Sequence, residues 1–131
     1  MDLIAAIRER MPPFSSHIGV EIVSAEPDRV IAEIEVKPEL CTTPAIMHGG
    51  AIMAFADTLG AVATIINLRE GQGTTTLESK TNFVSGAQAG TRVRGETTPI
   101  HRGRRTQVWQ TRITGADGKL VAIVTQTQMV L

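Results

Sequence analysis

The chain has 131 residues, and 13 Lys and Arg residues balance 13 Asp and Glu residues. This length suits one domain, residues 1–131, and is too short for two. The zero net charge argues against nucleic acid and anionic membranes as partners, since both require an excess of basic residues. The single Cys41 cannot form an internal disulfide, and the N-terminus does not resemble a signal peptide, so a cytoplasmic protein is expected.

The first third of the chain predicts one helix, two strands and a loop. Residues 2–11 have the apolar spacing of a short amphipathic helix, which two consecutive prolines are expected to end. Residues 18–25 and 29–37 predict strands, because apolar and charged side chains alternate in the second of them. Residues 38–49 predict a loop.

Residues 50–68 predict a long central helix, because the stretch is rich in Ala and too long for one strand. Its apolar residues occupy nearly the whole circumference, so it is buried on most sides or spans a membrane. Asp57, two Thr and two internal Gly argue against a membrane span. Four strands are predicted after a turn, over 74–85, 90–100, 104–114 and 119–130. This order predicts an α+β fold with an antiparallel sheet wrapped on a central helix.

Asp57 is the residue in this helix that most needs an explanation. Asp is unfavourable in the middle of a helix, and burying an unpaired carboxylate is costly. Most of its neighbours one turn away are small, which leaves room for a ligand. Spacing alone leaves two interpretations open, a functional carboxylate and a structural one bonded to a neighbouring strand or helix.

His48, Gly49 and Gly50 open the helix, where the first N–H groups have no internal acceptor and lie at the positive end. Glycine permits close approach of a ligand to this backbone, so the segment can bind an anion or a developing oxyanion. The alternative is an ordinary turn in which His48 caps or packs. Gly49 and Asp57 lie about 12 Å apart along the helix at ~1.5 Å per residue, too far to contact one carbonyl. If both serve one reaction, they come from different subunits of a homodimer with antiparallel helices.

The segment from His48 to Ala61, HGGAIMAFADTLGA, and the predicted element order resemble the hotdog-fold acyl-CoA thioesterases. Within that family the resemblance is greatest to the phenylacetic-acid-degradation type and to the dihydroxynaphthoyl-CoA thioesterases, whose strands residues 93–110 resemble. It runs from about residue 18 to the C-terminus. It implies a hotdog fold around the helix at 50–68 and hydrolysis of an acyl-CoA substrate without a metal or a bound organic cofactor. It also implies a homodimer at minimum, and a homotetramer as a dimer of dimers.

The resemblance assigns catalytic roles to three residues. Asp57 either attacks the thioester or activates water, the Gly49 N–H polarises the carbonyl, and His48 lines the same place. Thr42 stands where relatives have Asn or Gln. In those relatives the amide side chain positions the water or the carbonyl. Thr is shorter, and Thr43 could replace it after a small shift of the loop.

The resemblance also implies residues that contact the acyl group and CoA. Phe83 stands where the naphthoyl-type enzymes have His, which suggests a pocket for an aryl or apolar acyl group. Val84 and Ser85 border the pantetheine and acyl channel. Thr76 is also expected to contact the acyl-CoA substrate.

A basic cluster follows, made of His101, Arg102, Gly103, Arg104 and Arg105. Because Arg binds phosphate bidentately, the cluster is expected to contact the phosphates of CoA. The alternative is a solvated turn.

Two other functions stay open. The first is a non-catalytic acyl-CoA-binding module, which Thr42 in place of the amide residue favours. The second is a hotdog-fold hydratase or dehydratase, although the motifs of those enzymes are absent. The His residues do not have the spacing of a metal site. Cys41 and His48 lack a third residue to orient a nucleophile pair, so an inert Cys is favoured.

Overall fold

The computed structural model describes residues 2–131. Two short helices, α1 (Leu3–Glu9) and α2 (Pro13–Ile18), precede the sheet, and the long helix is α3 (Gly49–Ile65). The strands are β1 (Glu21–Glu26), β2 (Arg29–Glu35), β3 (Cys41–Thr42), β4 (Ile46–Met47), β5 (Thr74–Phe83), β6 (Arg92–Arg102), β7 (Thr106–Thr114) and β8 (Leu120–Val130). A 3₁₀ turn at Pro38–Leu40 precedes the β3–β4 hairpin in the segment predicted as a loop.

Six antiparallel strands form the main sheet in the order β1-β2-β6-β7-β8-β5. Helix α3 packs against this sheet, and Phe55, Leu59 and Trp109 are fully buried between them. A side chain at Gly95 of β6 would place its Cβ 2.6 Å from Leu59 Cδ1, so glycine is what lets the helix lie close to the sheet. The structure confirms the predicted α+β architecture of an antiparallel sheet around a central helix.

Helix α2 was not predicted, and the strand expected from residue 18 begins only at Glu21. The first helix ends at Glu9, before the two prolines, as expected, but a second helix starts at Pro13. Pro13 lies in the first turn of α2, where the missing proline N–H has no intrahelical acceptor to lose. The helix ends at Gly19, whose φ of 90° lies in the left-handed region that favours glycine.

Helix α3 is less buried than its composition suggests. The sheet covers one side, whereas Ile65 at the end of the helix is 55% exposed and Met53 is 37% exposed. No helix within residues 2–131 is both long and apolar enough to cross a membrane.

Two side-chain contacts hold the N-terminal helices, α1 and α2, in place. Thr58 Oγ1 donates to the Ala54 carbonyl at 3.0 Å, so the Ser15 hydroxyl is the donor in the buried 2.8 Å Ser15–Thr58 contact between α2 and α3. Arg8 of α1 donates to the Ile22 carbonyl of β1 at 2.9 Å. These bonds fix α2 against α3 and α1 against β1.

We expect Ser15→Ala to lower the free energy of unfolding by about 1 kcal/mol, because it removes a buried hydrogen bond. Ser16→Ala is the matched control, since Ser16 lies in the same helix with its side chain exposed. Urea denaturation measures both variants. Equal stability of the two would show that the Ser15–Thr58 bond contributes nothing.

Candidate functional site

Asp57 is the ninth residue of α3 and is half-buried. Its Oδ1 accepts hydrogen bonds from Thr76 Oγ1 of β5 at 2.7 Å and from Gln126 Nε2 of β8 at 3.3 Å. Among residues 2–131, no donor reaches its Oδ2. The carboxylate is therefore held through one oxygen, while the other is available to a ligand.

Two glutamines of β8 support these bonds from behind. Gln126 is fully buried and also donates to Gln128 Oε1 at 3.0 Å, while Gln128 Nε2 donates to Thr74 Oγ1 at 3.1 Å. Thr76 Oγ1 lies 2.6 Å from Gln128 Oε1 as well. Thr76 has only one hydroxyl proton, and the charged Asp57 is the stronger acceptor. Thr76, predicted as a substrate contact, thus lies against Asp57.

Sequence reasoning missed Gln126 and Gln128, although a signal for them exists. Both continue the alternating inward row of β8 that begins with the buried Ala122 and Val124. Glutamine is uncommon at fully buried positions, so two of them in one inward row indicate a polar partner on the facing helix.

The N-terminus of α3 has one capped N–H and one free N–H. His48 Nδ1 accepts from the Gly50 N–H at 2.8 Å, so His48 is the N-cap of the helix. In the neutral imidazole the proton is then on Nε2. The Gly49 N–H is the first of the helix and finds no acceptor within residues 2–131. His48 therefore caps the helix through the Gly50 N–H, and the Gly49 N–H remains available to a ligand.

A cavity of about 370 Å³ lies beside this free N–H. It brings together five residues of the predicted site, namely Thr42, Gly49, Phe83, Val84 and Ser85. A Cβ on Gly49 would lie 3.1 Å from the Phe83 ring, whose side chain is 55% exposed. Thr43 does not line this cavity.

Asp57 lines a different cavity, of about 500 Å³, formed by α3 and the two N-terminal helices. Gly49 and Asp57 are both on α3, at positions eight residues apart. Within one chain they face separate cavities.

The basic cluster lies far from Gly49. His101, Arg102, Gly103, Arg104 and Arg105 form the tip of the β6–β7 hairpin, where Arg102 donates to the Pro27 carbonyl at 3.2 Å. The Arg105 carbonyl accepts from Val130, which pairs with Thr74 at the start of β5. Phe83 is at the other end of β5, about 30 Å away at ~3.3 Å per residue. One chain therefore does not bring the basic cluster to the Gly49 cavity.

Across residues 2–131, no three His, Cys, Asp or Glu side chains are grouped as a metal ion would require. The Cys41 thiol is half-buried and donates to the Lys37 carbonyl at 3.4 Å.

Comparison with known proteins gives consistent likenesses. The sequence model of the family described as "Thioesterase superfamily" matches residues 45–122. A 1,4-dihydroxy-2-naphthoyl-CoA hydrolase of Listeria monocytogenes is 30% identical over 106 residues, 81% of this chain and 85% of that protein. The proofreading thioesterase EntH of Cronobacter turicensis is 34% identical over 106 residues, 79% of this chain and 74% of that protein. A crystal structure of a thioesterase from Haemophilus influenzae superposes with a TM-score of 0.91 and 29% identity, covering 100% of this chain and 91% of that one. These likenesses confirm the predicted hotdog fold.

Gly60 is required for the glutamine support of Asp57, because a Cβ there would overlap the Gln126 amide. We expect Gly60→Ala to destabilise the protein by about 1–3 kcal/mol, the usual cost of overpacking a core. In a Gln126→Ala background the same change becomes neutral or stabilising, since Ala favours a helix over Gly by ~1 kcal/mol. Urea denaturation of the four proteins measures this coupling. An equal cost in both backgrounds would contradict the contact.

Proposed function

Since the chain belongs to the thioesterase superfamily and is a thioester hydrolase, we propose that it hydrolyses an acyl-CoA at a site shared by two subunits. Asp57 of one subunit and the Gly49 N–H of its partner act on the same thioester carbonyl. The observation that carries the proposal is the pair of unused groups on α3, Asp57 Oδ2 and the Gly49 N–H.

Helix geometry requires the second subunit. Eight residues of α3 separate Gly49 from Asp57, about 12 Å along the axis, whereas a reacting carbonyl contacts its catalytic groups at about 3 Å. The helix is held against the sheet by buried contacts, so the two groups of one chain have no means of approaching each other. A second copy with its helix antiparallel supplies the missing group.

The edge of the sheet indicates how two copies associate. β5 pairs with β8 on one side only, and its other side ends the six-stranded sheet. Leu77 on this strand is 53% exposed, and a long exposed edge strand favours pairing with another strand. A two-fold axis between Ser79 and Lys80 would place the partner's Phe83 opposite Thr76. The partner's Gly49, which touches the partner's Phe83, then approaches Asp57, which is bonded to Thr76.

This arrangement supports a complete hydrolysis without a metal or an organic cofactor. Asp57 takes a proton from a water whose oxygen attacks the thioester carbon, and the Gly49 N–H at the positive end of α3 stabilises the oxyanion. Collapse of the intermediate breaks the C–S bond and leaves the carboxylic acid, and the CoA thiolate that departs takes the proton back from Asp57. Alternatively, the Asp57 carboxylate attacks the thioester carbon, the C–S bond breaks to release CoA thiolate, and water then hydrolyses the resulting anhydride to the acid and free Asp57. In labelled water, a single turnover inserts label into Asp57 only by the anhydride route.

The remaining predicted residues have roles in the same proposal. Thr42 lies in the Gly49 cavity and positions the water or the carbonyl, while Val84 and Ser85 border the pantetheine. The basic cluster at residues 101–105 contacts the CoA phosphates. It lies at the C-terminal end of α3, toward which an antiparallel partner brings its own Gly49. The dimer is the minimum unit, and a tetramer is expected as a dimer of dimers.

We expect Asp57→Asn to lower kcat by about 10²–10⁴-fold, the usual contribution of a general base. Free-thiol release from a panel of aryl- and fatty acyl-CoAs measures the rate. Asp117→Asn is the matched control, because Asp117 is an exposed turn residue and should leave the rate unchanged. Full activity in the Asp57 variant would exclude the proposed role of this carboxylate.

The Gly49 N–H can be removed without breaking the helix. Proline is well tolerated at the first helical position, and the extended His48 backbone, with φ −63° and ψ 138°, suits a residue before proline. We expect Gly49→Pro to lower kcat about 10²–10³-fold, whereas Gly49→Ala, which keeps the N–H, retains most of the rate. Equal losses in the two variants would mean that the added side chain matters rather than the N–H.

Mixing the two inactive variants tests whether the site is shared. A heterodimer of Asp57→Ala and Gly49→Pro chains contains one site with both groups intact only if the groups come from different subunits. Random mixing then restores about a quarter of the wild-type rate, because half of the dimers are mixed and each has one intact site. If both groups came from one chain, co-expression would restore nothing.

The shortness of Thr42 favours a second candidate, a non-catalytic acyl-CoA-binding module. Under that function the wild type binds acyl-CoA without hydrolysing it, and Asp57→Ala leaves the affinity intact. Calorimetry with a non-hydrolysable analogue, run beside the thiol assay, separates the two functions.

A further inference from the structure

The cavity lined by Asp57 has mostly apolar walls. It lies between the N-terminal helices and the outer face of α3, with a volume of about 500 Å³, within the range of small-molecule sites. The α3 wall includes Ala54, Ala61 and Ile65, and the opposite wall includes Ala6 and Phe14. We refer to this cavity as the N-terminal chamber.

Few polar groups of the N-terminal chamber are free to bind a ligand. The Ser15 and Thr58 hydroxyls, which also line it, are bonded to each other at 2.8 Å. Arg10 is exposed at the chamber's edge. Asp57 is thus the one lining group at the inner wall with an unused oxygen. In the proposed reaction this oxygen is used by the attacking water or the thioester, so a hydroxyl on the acyl group would lose its water without gaining a partner.

The proposed reaction places the thioester carbon at Asp57, so the part of the substrate beyond the carbonyl has this apolar space beside it. We infer that the N-terminal chamber holds the acyl group and selects an uncharged acyl group without hydroxyls, either aryl or aliphatic. The inference rests on the proposed function. It assigns the acyl group to the chamber, and the cavity beside Gly49 and Phe83 remains for the pantetheine side of the substrate.

One wall of the chamber is formed by the N-terminal helices α1 and α2, whereas Asp57 lies on α3. In the proposal, the reaction and the choice of acyl group therefore depend on different segments of the chain. Changes in the N-terminal helices should alter which acyl-CoA is used and leave the chemical step intact.

Three variants and three substrates test the inference. Ala61→Leu and Ala6→Leu narrow the chamber from opposite walls, and Ala5→Leu is the matched control, because Ala5 neighbours Ala6 on α1 but does not line the chamber. The substrates are benzoyl-CoA, 4-hydroxybenzoyl-CoA and acetyl-CoA, each followed by thiol release.

In the wild type we expect kcat/KM for benzoyl-CoA to exceed that for 4-hydroxybenzoyl-CoA by about 10–100-fold, because the hydroxyl is buried without a partner. Both chamber variants should lower the benzoyl-to-acetyl ratio of kcat/KM at least tenfold, because the added side chain occupies space that the larger acyl group needs. Ala5→Leu should leave the ratio as it is.

The outcomes separate this inference from the proposed function. If the wild type hydrolyses acyl-CoA and the chamber variants keep its benzoyl-to-acetyl ratio of kcat/KM, the chamber does not hold the acyl group. The thioesterase function would be unaffected by that result. Equal turnover of the hydroxylated and plain substrates would also overturn it. Dissociation of the Ala61→Leu oligomer, seen by light scattering, would make this face a subunit contact instead. Absence of any turnover would reject both proposals.

Discussion

The hydrogen bond from Thr76 to Asp57 joins the two elements on which the site depends, helix α3 and edge strand β5. It occupies one carboxylate oxygen and leaves the other free, so the residue that ties the helix to the sheet keeps an oxygen for the reaction proposed above. Gln126 adds a second donor from β8, which reaches the carboxylate only because Gly60 has no side chain. The bonds at one oxygen fit the structural interpretation of Asp57, and the unbonded second oxygen is compatible with the functional one, so the two do not exclude each other.

The same helix separates the groups that the chemistry must unite. A rigid α3 keeps the Gly49 N–H and the Asp57 carboxylate about 12 Å apart. Each group has a neighbour on β5, Phe83 beside Gly49 and Thr76 beside Asp57. Because β5 is also an open edge of the sheet, the proposed pairing of two copies through this strand would solve both problems at once. It would satisfy the exposed backbone and bring the N–H of one chain to the carboxylate of the other.

Much of the fold could be predicted from the sequence, because local patterns determine it. Helix α3 and the strands follow from composition and alternation, and the HGG segment with Asp57 indicated the family. Helix α2 was missed because a proline pair resembles a helix end as much as a helix start. The polar contacts of Asp57 were missed because they join residues 57, 76 and 126, which only the folded sheet brings together. The separation of the Arg102 hairpin from Gly49 is likewise a property of strand order.

The proposed division between the reaction at Asp57 and the choice of acyl group has a physical basis in this chain. The carboxylate, the free N–H and their supporting glutamines lie on elements whose positions the core fixes, so they have little freedom to vary. Helices α1 and α2 contact this core through apolar side chains such as Ile7 and Ile18 and through the bond between Ser15 and Thr58. Residues on their inner surface, Ala6 and Phe14 among them, face space rather than close-packed side chains. A change there would alter the size of the cavity at little cost in packing, so under the proposed function the choice of acyl group would change without disturbing the carboxylate.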